Sequence, residues 1–266
     1  MCSTTTSSTR VKKGRKARIA LIAVLAVVVI AAVSFFVYVG VYYHADEAAI
    51  EATEDRGVYA SDEITVEQGE GYLAFVPSNP RDGFIFYPGG KVQAEVYAPL
   101  MQALAERGIL CVLCPMPFNL AVFDVNAADG IREKFPLARG EWYIGGHSLG
   151  GSMAAQYAAD HLQSADGGAR FAGIVLLGSY STADLSQADS LRALVIRGSD
   201  DQVLNADAYE SNRKNLPPDS EEIVIAGGNH GQFGSYGHQD GDGEATITPE
   251  EQWRQTADAI AKWMEE

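Results

Sequence analysis

Trp142-Tyr143-Ile144-Gly145-Gly146-His147-Ser148-Leu149-Gly150-Gly151 is the stretch on which the reading of this chain turns. An apolar, strand-like run enters it. From Ser148 to about Leu162 the pattern is helical, with small residues Gly150, Gly151, Ser152, Ala154 and Ala155 in the first turns. At its centre, Gly146-His147-Ser148-Leu149-Gly150 matches G-x-S-x-G. Five residues alone say little; the context carries the signal. A strand running in and a helix running out force the serine onto a sharp turn with strained backbone. Glycines stand two residues to either side of it because a side chain there would strike the neighbouring strand or helix.

Working outward, short apolar runs at 64–66, 72–76 and 84–87 read as strands, the last leading into Pro88-Gly89-Gly90. Residues 95–107 place Val96, Tyr97, Leu100, Met101 and Leu104 at helical spacing, and Gly108 ends that helix. Strand 109–114, a Pro-containing loop over 115–126 and a helix around 127–135 follow. After the serine, strands are expected at 174–177, 194–197 and 223–225, with helices over 206–214 and 250–264. Strands alternating with helices in this way call for an α/β fold: a mostly parallel, doubly wound sheet covered on both faces. No long insertion separates 174–177 from 194–197, so an open site without a large lid is expected.

The N-terminal region differs in composition. Residues 1–18 carry Arg10, Lys12, Lys13, Arg15, Lys16 and Arg18 and no acid. Residues 19–43 then run without a charge; as a helix they would reach about 37 Å, enough to cross a bilayer. The apolar run of a cleavable signal peptide is shorter and ends at a small-x-small site. Here it ends in Val41-Tyr42-Tyr43, so an uncleaved transmembrane signal anchor is expected. Flanking charge sets the orientation: the basic tail stays cytoplasmic and the domain faces outward, on the cell membrane. Residues 44–62, acidic and Ala-rich, are expected as a short helix or stalk, and 63–266 as the globular domain. The chain has a net charge of −15, and removing the six N-terminal cations takes the remainder to −21. That excludes nucleic acid as a plausible partner.

A serine hydroxyl is a poor nucleophile at neutral pH and needs a histidine to take its proton and an acid to orient that histidine. In a strand–turn–helix site of this kind the order along the chain is serine, acid, histidine. Ser148 is followed by Asp200-Asp201 just after strand 194–197, and by His230 just after strand 223–225. Both are at strand carboxyl ends, where α/β sheets build their sites. Asp201 is preferred over Asp200 as the acid. His44, His147, His161 and His238 lack the required loop position. The oxyanion donors expected are the backbone N–H groups of Leu149 and, from the loop after strand 84–87, of Gly90, with Lys91 next.

Two further motifs are given structural readings. Cys111 and Cys114 alternate along a buried strand and are expected to be free thiols packed as small hydrophobes. Asp240-Gly241-Asp242-Gly243-Glu244 lacks the ligand ladder of a calcium loop and is read as a polar surface turn. No metal and no organic cofactor are expected.

These residues together resemble the compact α/β-hydrolases of the "alpha/beta hydrolase fold-5" type, related to dienelactone hydrolases, over about residues 58–266. The resemblance rests on Phe86-Tyr87-Pro88-Gly89-Gly90-Lys91, Met116-Pro117-Phe118-Asn119-Leu120, the Ser148 motif, Gly198-Ser199-Asp200-Asp201, Gly228-Asn229-His230 and Phe233-Gly234-Ser235-Tyr236-Gly237. It implies Asp201 as the acid and His230 as the base. Dienelactone hydrolases proper use a cysteine where this chain has Ser148, so that particular activity is not implied. The expectation is a membrane-anchored serine hydrolase that cleaves a small-molecule or lipid-like ester or thioester through an acyl-Ser148 intermediate. The alternatives are an envelope acyltransferase using the same site and a non-catalytic surface binding module.

Overall fold

The computed structural model describes residues 7–54, 57, 59–163 and 170–266, with backbone alone over 7–17. It contains two compact units, Met1–Val41 and Tyr42–Glu266.

The first unit is one helix, α1 (Ser7–Val39). Its segment Arg18–Val39 has a mean hydropathy of 3.1, so this helix is long and apolar enough to cross a membrane. Twenty-two residues give about 33 Å, still the thickness of a bilayer core. The charge-free run extends to Tyr43, but the helix ends at Val39. Gly40 stops it, and Tyr43 instead forms a parallel bridge with Val92.

The second unit is built on eight strands: β1 (Ile64–Gly69), β2 (Tyr72–Pro77), β3 (Asp82–Tyr87), β4 (Ile109–Leu113), β5 (Trp142–His147), β6 (Gly173–Leu177), β7 (Arg192–Gly198) and β8 (Asp219–Ile225). They lie in the order β1-β2-β4-β3-β5-β6-β7-β8. The β1–β2 and β2–β4 pairs are antiparallel and the rest parallel. Alternating side chains feed two cores, one on each face. Phe84, Phe86, Cys111 and Leu113 enter one; Ile85, Tyr87, Leu110 and Val112 enter the other. Covered on both sides, the central strands β3–β6 read as near-continuous apolar runs, which is what betrays them in the sequence.

The helices are α2 (Glu47–Thr53), α3 (Ala98–Ala105, entered through a 3-10 turn), α4 (Ile131–Lys134), α5 (Leu149–Asp160), α6 (Ala206–Asn212) and α7 (Pro249–Glu265). In α7, the Thr248 hydroxyl accepts from the Glu251 amide at 3.2 Å and Pro249 opens the first turn. Its buried stripe of Trp253, Ala257, Ile260, Ala261 and Met264 packs on the β3–β7 face. The helix expected around 127–135 shrinks to α4, because Gly130 enters the left-handed region (φ 74°) and breaks the turns before it. The 178–191 connection carries neither helix nor strand, in line with an open site.

Residues 44–62 hold the expected short helix, α2, and among the described residues it packs on the domain rather than standing free as a stalk. The compact unit starts at Tyr42, and α2 buries Ala49 and Ala52 completely, Ala52 within the core that also holds α3 and α7. Asp46 caps α2 through the Ala49 amide at 3.1 Å and takes the Ser235 hydroxyl at 2.5 Å. An acidic composition hides this face because its apolar contribution is two alanines. Ala52→Glu places a carboxylate in that core and is expected to destabilise the domain by about 3 kcal/mol or more. Ile50→Ala, at an exposed position of the same helix, should stay within about 0.5 kcal/mol. Denaturant unfolding of the two variants checks this; equal stability would return the segment to a stalk.

Candidate active site

Ser148 sits between β5 and α5 with φ 52° and ψ −123°, a conformation that side-chain-bearing residues rarely adopt and that costs about 1–3 kcal/mol. Close packing enforces it. The Ser148 amide donates to the Leu177 carbonyl at 2.9 Å. A Cβ on Gly146 would lie 2.4 Å from the Tyr87 carbonyl oxygen, and one on Gly150 would lie 2.2 Å from the carbonyl oxygens of both Tyr87 and Pro88. These obstacles are backbone and cannot give way, which is why both flanking positions are glycine.

Asp201 follows β7 and His230 follows β8, so adjacent parallel strands deliver them to the same sheet edge as Ser148. His230 Nδ1 and Asp201 Oδ2 are hydrogen-bonded at 2.8 Å, and each side chain is only 2 % exposed. The other Asp201 oxygen accepts from the amides of Val203 at 3.0 Å and Leu204 at 2.8 Å. That fixes the carboxylate and leaves one oxygen for the imidazole. Asp200 turns away, its carboxylate touching the Ser199 hydroxyl at 3.4 Å. His238 lines a separate cavity with Asp46 and Trp253, and His161 bonds the Tyr157 carbonyl at the end of α5. Gly178, at φ 49°, makes room for the pair: a Cβ there would meet His230 Nδ1 at 2.8 Å. Ser148 and His230 both line a cleft of about 240 Å³, together with Leu149, Ser152, Tyr180 and Leu204.

The amides after Pro88 sort themselves by their partners. Gly89 donates to the Tyr97 hydroxyl at 3.0 Å and Lys91 to the Asn119 carbonyl at 2.7 Å. Among the described residues that leaves the Gly90 N–H without an acceptor. A Cβ on Gly90 would lie 2.9 Å from Leu149 Cδ2, so this loop and the start of α5 are in contact. Leu149 is the first residue of α5, where N–H groups have no intrahelical partner and the helix dipole is positive.

Several supporting residues carry no motif of their own. The Tyr97 hydroxyl that receives Gly89 also bonds His147 Nδ1 at 2.8 Å. The His147 ring lies 4.3 Å from that of His230, centroid to centroid. Burial, with the charge of His230 beside it, holds His147 well below the usual histidine range, so it stays neutral when its neighbour takes a proton. Asp242, in the loop read from sequence as a polar turn, accepts from the amides of Gly231 at 2.7 Å, Gln202 at 3.2 Å and Gly243 at 2.9 Å. It therefore ties the His230 loop to the Asp201 loop. Asn229 is buried and bonds the Gly243 carbonyl at 2.7 Å and the Gln232 amide at 3.0 Å.

Cys111 and Cys114 are free and lie in the two opposite cores. Burial pushes the Cys111 thiol up, and burial followed by the Asp124 charge pushes Cys114 up to about 12, so neither is a thiolate at neutral pH. Among the described residues, no group of three or more His, Cys, Asp or Glu side chains is placed to hold a metal ion.

In proton NMR of the intact chain, the Nδ1–H of His230 is expected as a far-downfield resonance that Asp201→Asn shifts or removes and Asp200→Asn leaves in place. The reverse result would transfer the acid to Asp200.

A search of curated proteins finds no match. Solved structures give the fold. A protein of Thermus thermophilus superimposes with a TM-score of 0.55 at 17% identity, covering 76% of this chain and 99% of its own. An esterase of Pyrobaculum calidifontis gives 0.54 at 15% identity, over 81% and 88%. A dienelactone hydrolase-like promiscuous phosphotriesterase from metagenomic libraries gives 0.53 at 14% identity, over 76% and 98%. A family model covers residues 83–254, a span that holds Gly90, Ser148, Asp201 and His230. The eight-stranded, mostly parallel sheet and this match agree: the chain belongs to the alpha/beta hydrolase family.

Proposed function

We propose that this protein is a membrane-anchored serine hydrolase that cleaves an ester or thioester through an acyl-Ser148 intermediate. One observation carries the reading: a buried His230–Asp201 pair opens onto the same cleft as a serine held at a strained strand–helix turn. The esterase and the phosphotriesterase among the similar structures are compatible with ester chemistry on this fold.

His230 Nε2 takes the proton of Ser148 Oγ as the oxygen attacks the carbonyl carbon, while Asp201 holds the imidazole and stabilises its charged form. The oxyanion that develops is met by the N–H groups of Leu149 and Gly90, reinforced by the positive end of α5. His230 then gives its proton to the leaving alcohol or thiol. In the second half it removes a proton from the water that attacks the acyl carbon, then gives that proton to Ser148 Oγ as the acyl–oxygen bond breaks and the acid is released. Neutral His147 matters here: a charged neighbour at 4.3 Å would oppose each protonation of His230.

The segment Arg18–Val39 serves as the anchor, with the basic tail cytoplasmic and the hydrolase domain outside. The substrate is a small-molecule or lipid-like ester, and the chemistry needs no metal or organic cofactor.

The test is fluorophosphonate labelling and chromogenic-ester hydrolysis by the detergent-solubilised full chain. Ser148→Ala and His230→Ala are expected to abolish labelling and to lower turnover by at least about a thousandfold. Labelling that survives Ser148→Ala, or none in a folded wild type, would overturn the assignment.

A further inference from the structure

Among the described residues of the domain Tyr42–Glu266 the exposed large apolar side chains are Ile50, Phe118, Val122, Phe123, Leu162 and Val224. Among the described residues three of these fall within 118–123, where Phe118, Val122 and Phe123 are 47 %, 48 % and 50 % exposed. The Phe118 and Phe123 rings meet edge to face, 5.7 Å apart, and form a single apolar knob. Two consecutive residues hold the loop in the left-handed region, Phe118 at φ 56° and Asn119 at φ 54°. The knob adjoins the site. Leu120 packs beside Gly90, and the Asn119 carbonyl takes the Lys91 amide. Hydrophobic surface gathered in one place beside the Gly90 loop marks an interaction surface rather than scattered exposure.

Chain connectivity says what that surface meets. Tyr43 donates its N–H to the Lys91 carbonyl at 2.8 Å and accepts from the Gln93 amide at 3.0 Å. Residues 40–42 alone separate Tyr43 from Val39, the last residue of the apolar segment. Four residue steps reach at most about 14 Å. With Arg18–Val39 across the membrane, the Gly90 loop is leashed to the bilayer surface. The domain's strong negative charge gives no electrostatic attraction to anionic headgroups, so contact would depend on apolar insertion.

We propose that Phe118, Val122 and Phe123 insert into the interfacial region of the anchoring bilayer, turning the mouth of the Ser148 cleft toward esters dissolved in that bilayer. This rests on the membrane-anchor reading and deepens the hydrolase one.

The experiment uses the full chain in phosphatidylcholine vesicles. Trp142, Trp253 and Trp263 are all buried, so brominated lipid reports an added surface indole. The Phe123→Trp variant is expected to be strongly quenched and the Val224→Trp variant not, at low and high salt alike. A Phe118→Ser/Val122→Ser/Phe123→Ser variant is expected to lose about tenfold on a long-chain ester dissolved in the bilayer and less than about twofold on p-nitrophenyl acetate in water. An unquenched Phe123→Trp in a chain that resists alkaline carbonate extraction would overturn the inserted surface and leave the anchor standing. Extraction of the chain by carbonate would remove the anchor and this surface with it. No hydrolysis of either ester would strike the serine reading, while quenching would still decide the surface.

Discussion

Everything at the site depends on how closely the first turn of α5 approaches the end of β3. With no side chain at Gly146 or Gly150, the helix start lies against the carbonyls of Tyr87 and Pro88. That contact drives Ser148 into its positive-φ conformation. It also sets Leu149, at the positive end of the helix, against the Gly90 loop. One steric constraint therefore fixes three things: the conformation of Ser148, the direction of a helix dipole and the meeting of Leu149 with the Gly90 loop. The strain of about 1–3 kcal/mol is affordable because a sheet buried on both faces surrounds it.

A second layer holds the partners in place. Asp201 is fastened by two amides, Asp242 staples the 202 and 231 backbone together, and Tyr97 bridges Gly89 to His147. All are hydrogen bonds in buried or half-buried surroundings, where they are strong and where a lost partner is costly. Site geometry on loops thus inherits the rigidity of the strands behind it.

Much of this was legible in the sequence. The buried strands announce themselves because β3–β6 carry near-continuous apolar runs, and the G-x-S-x-G turn is meaningful because Trp142-Tyr143-Ile144 precedes it and small residues follow. Asp201 and His230 could be paired because each lies on the loop just after a strand. Other features left no such trace. Asp242 acts through backbone amides that no pattern specifies. Tyr97 and His147 meet across 50 positions of sequence, on helix and strand. The segment around α2 looked like a solvated stalk because Ala49 and Ala52 bring little hydrophobicity, yet their small size is what lets α2 pack against α3. The end of α1 was overrun for a related reason: hydropathy continues through Tyr43, whereas helix geometry stops at Gly40.

The central claim is that Ser148 becomes covalently acylated. Acid quench of the full chain within its first turnovers of a slow ester, followed by peptide mass spectrometry, tests it most directly. The account predicts one added acyl mass on the peptide bearing Ser148, decaying as substrate is exhausted and missing from Ser148→Ala. Product formed with no adduct on that peptide, or an adduct on another side chain, would contradict it.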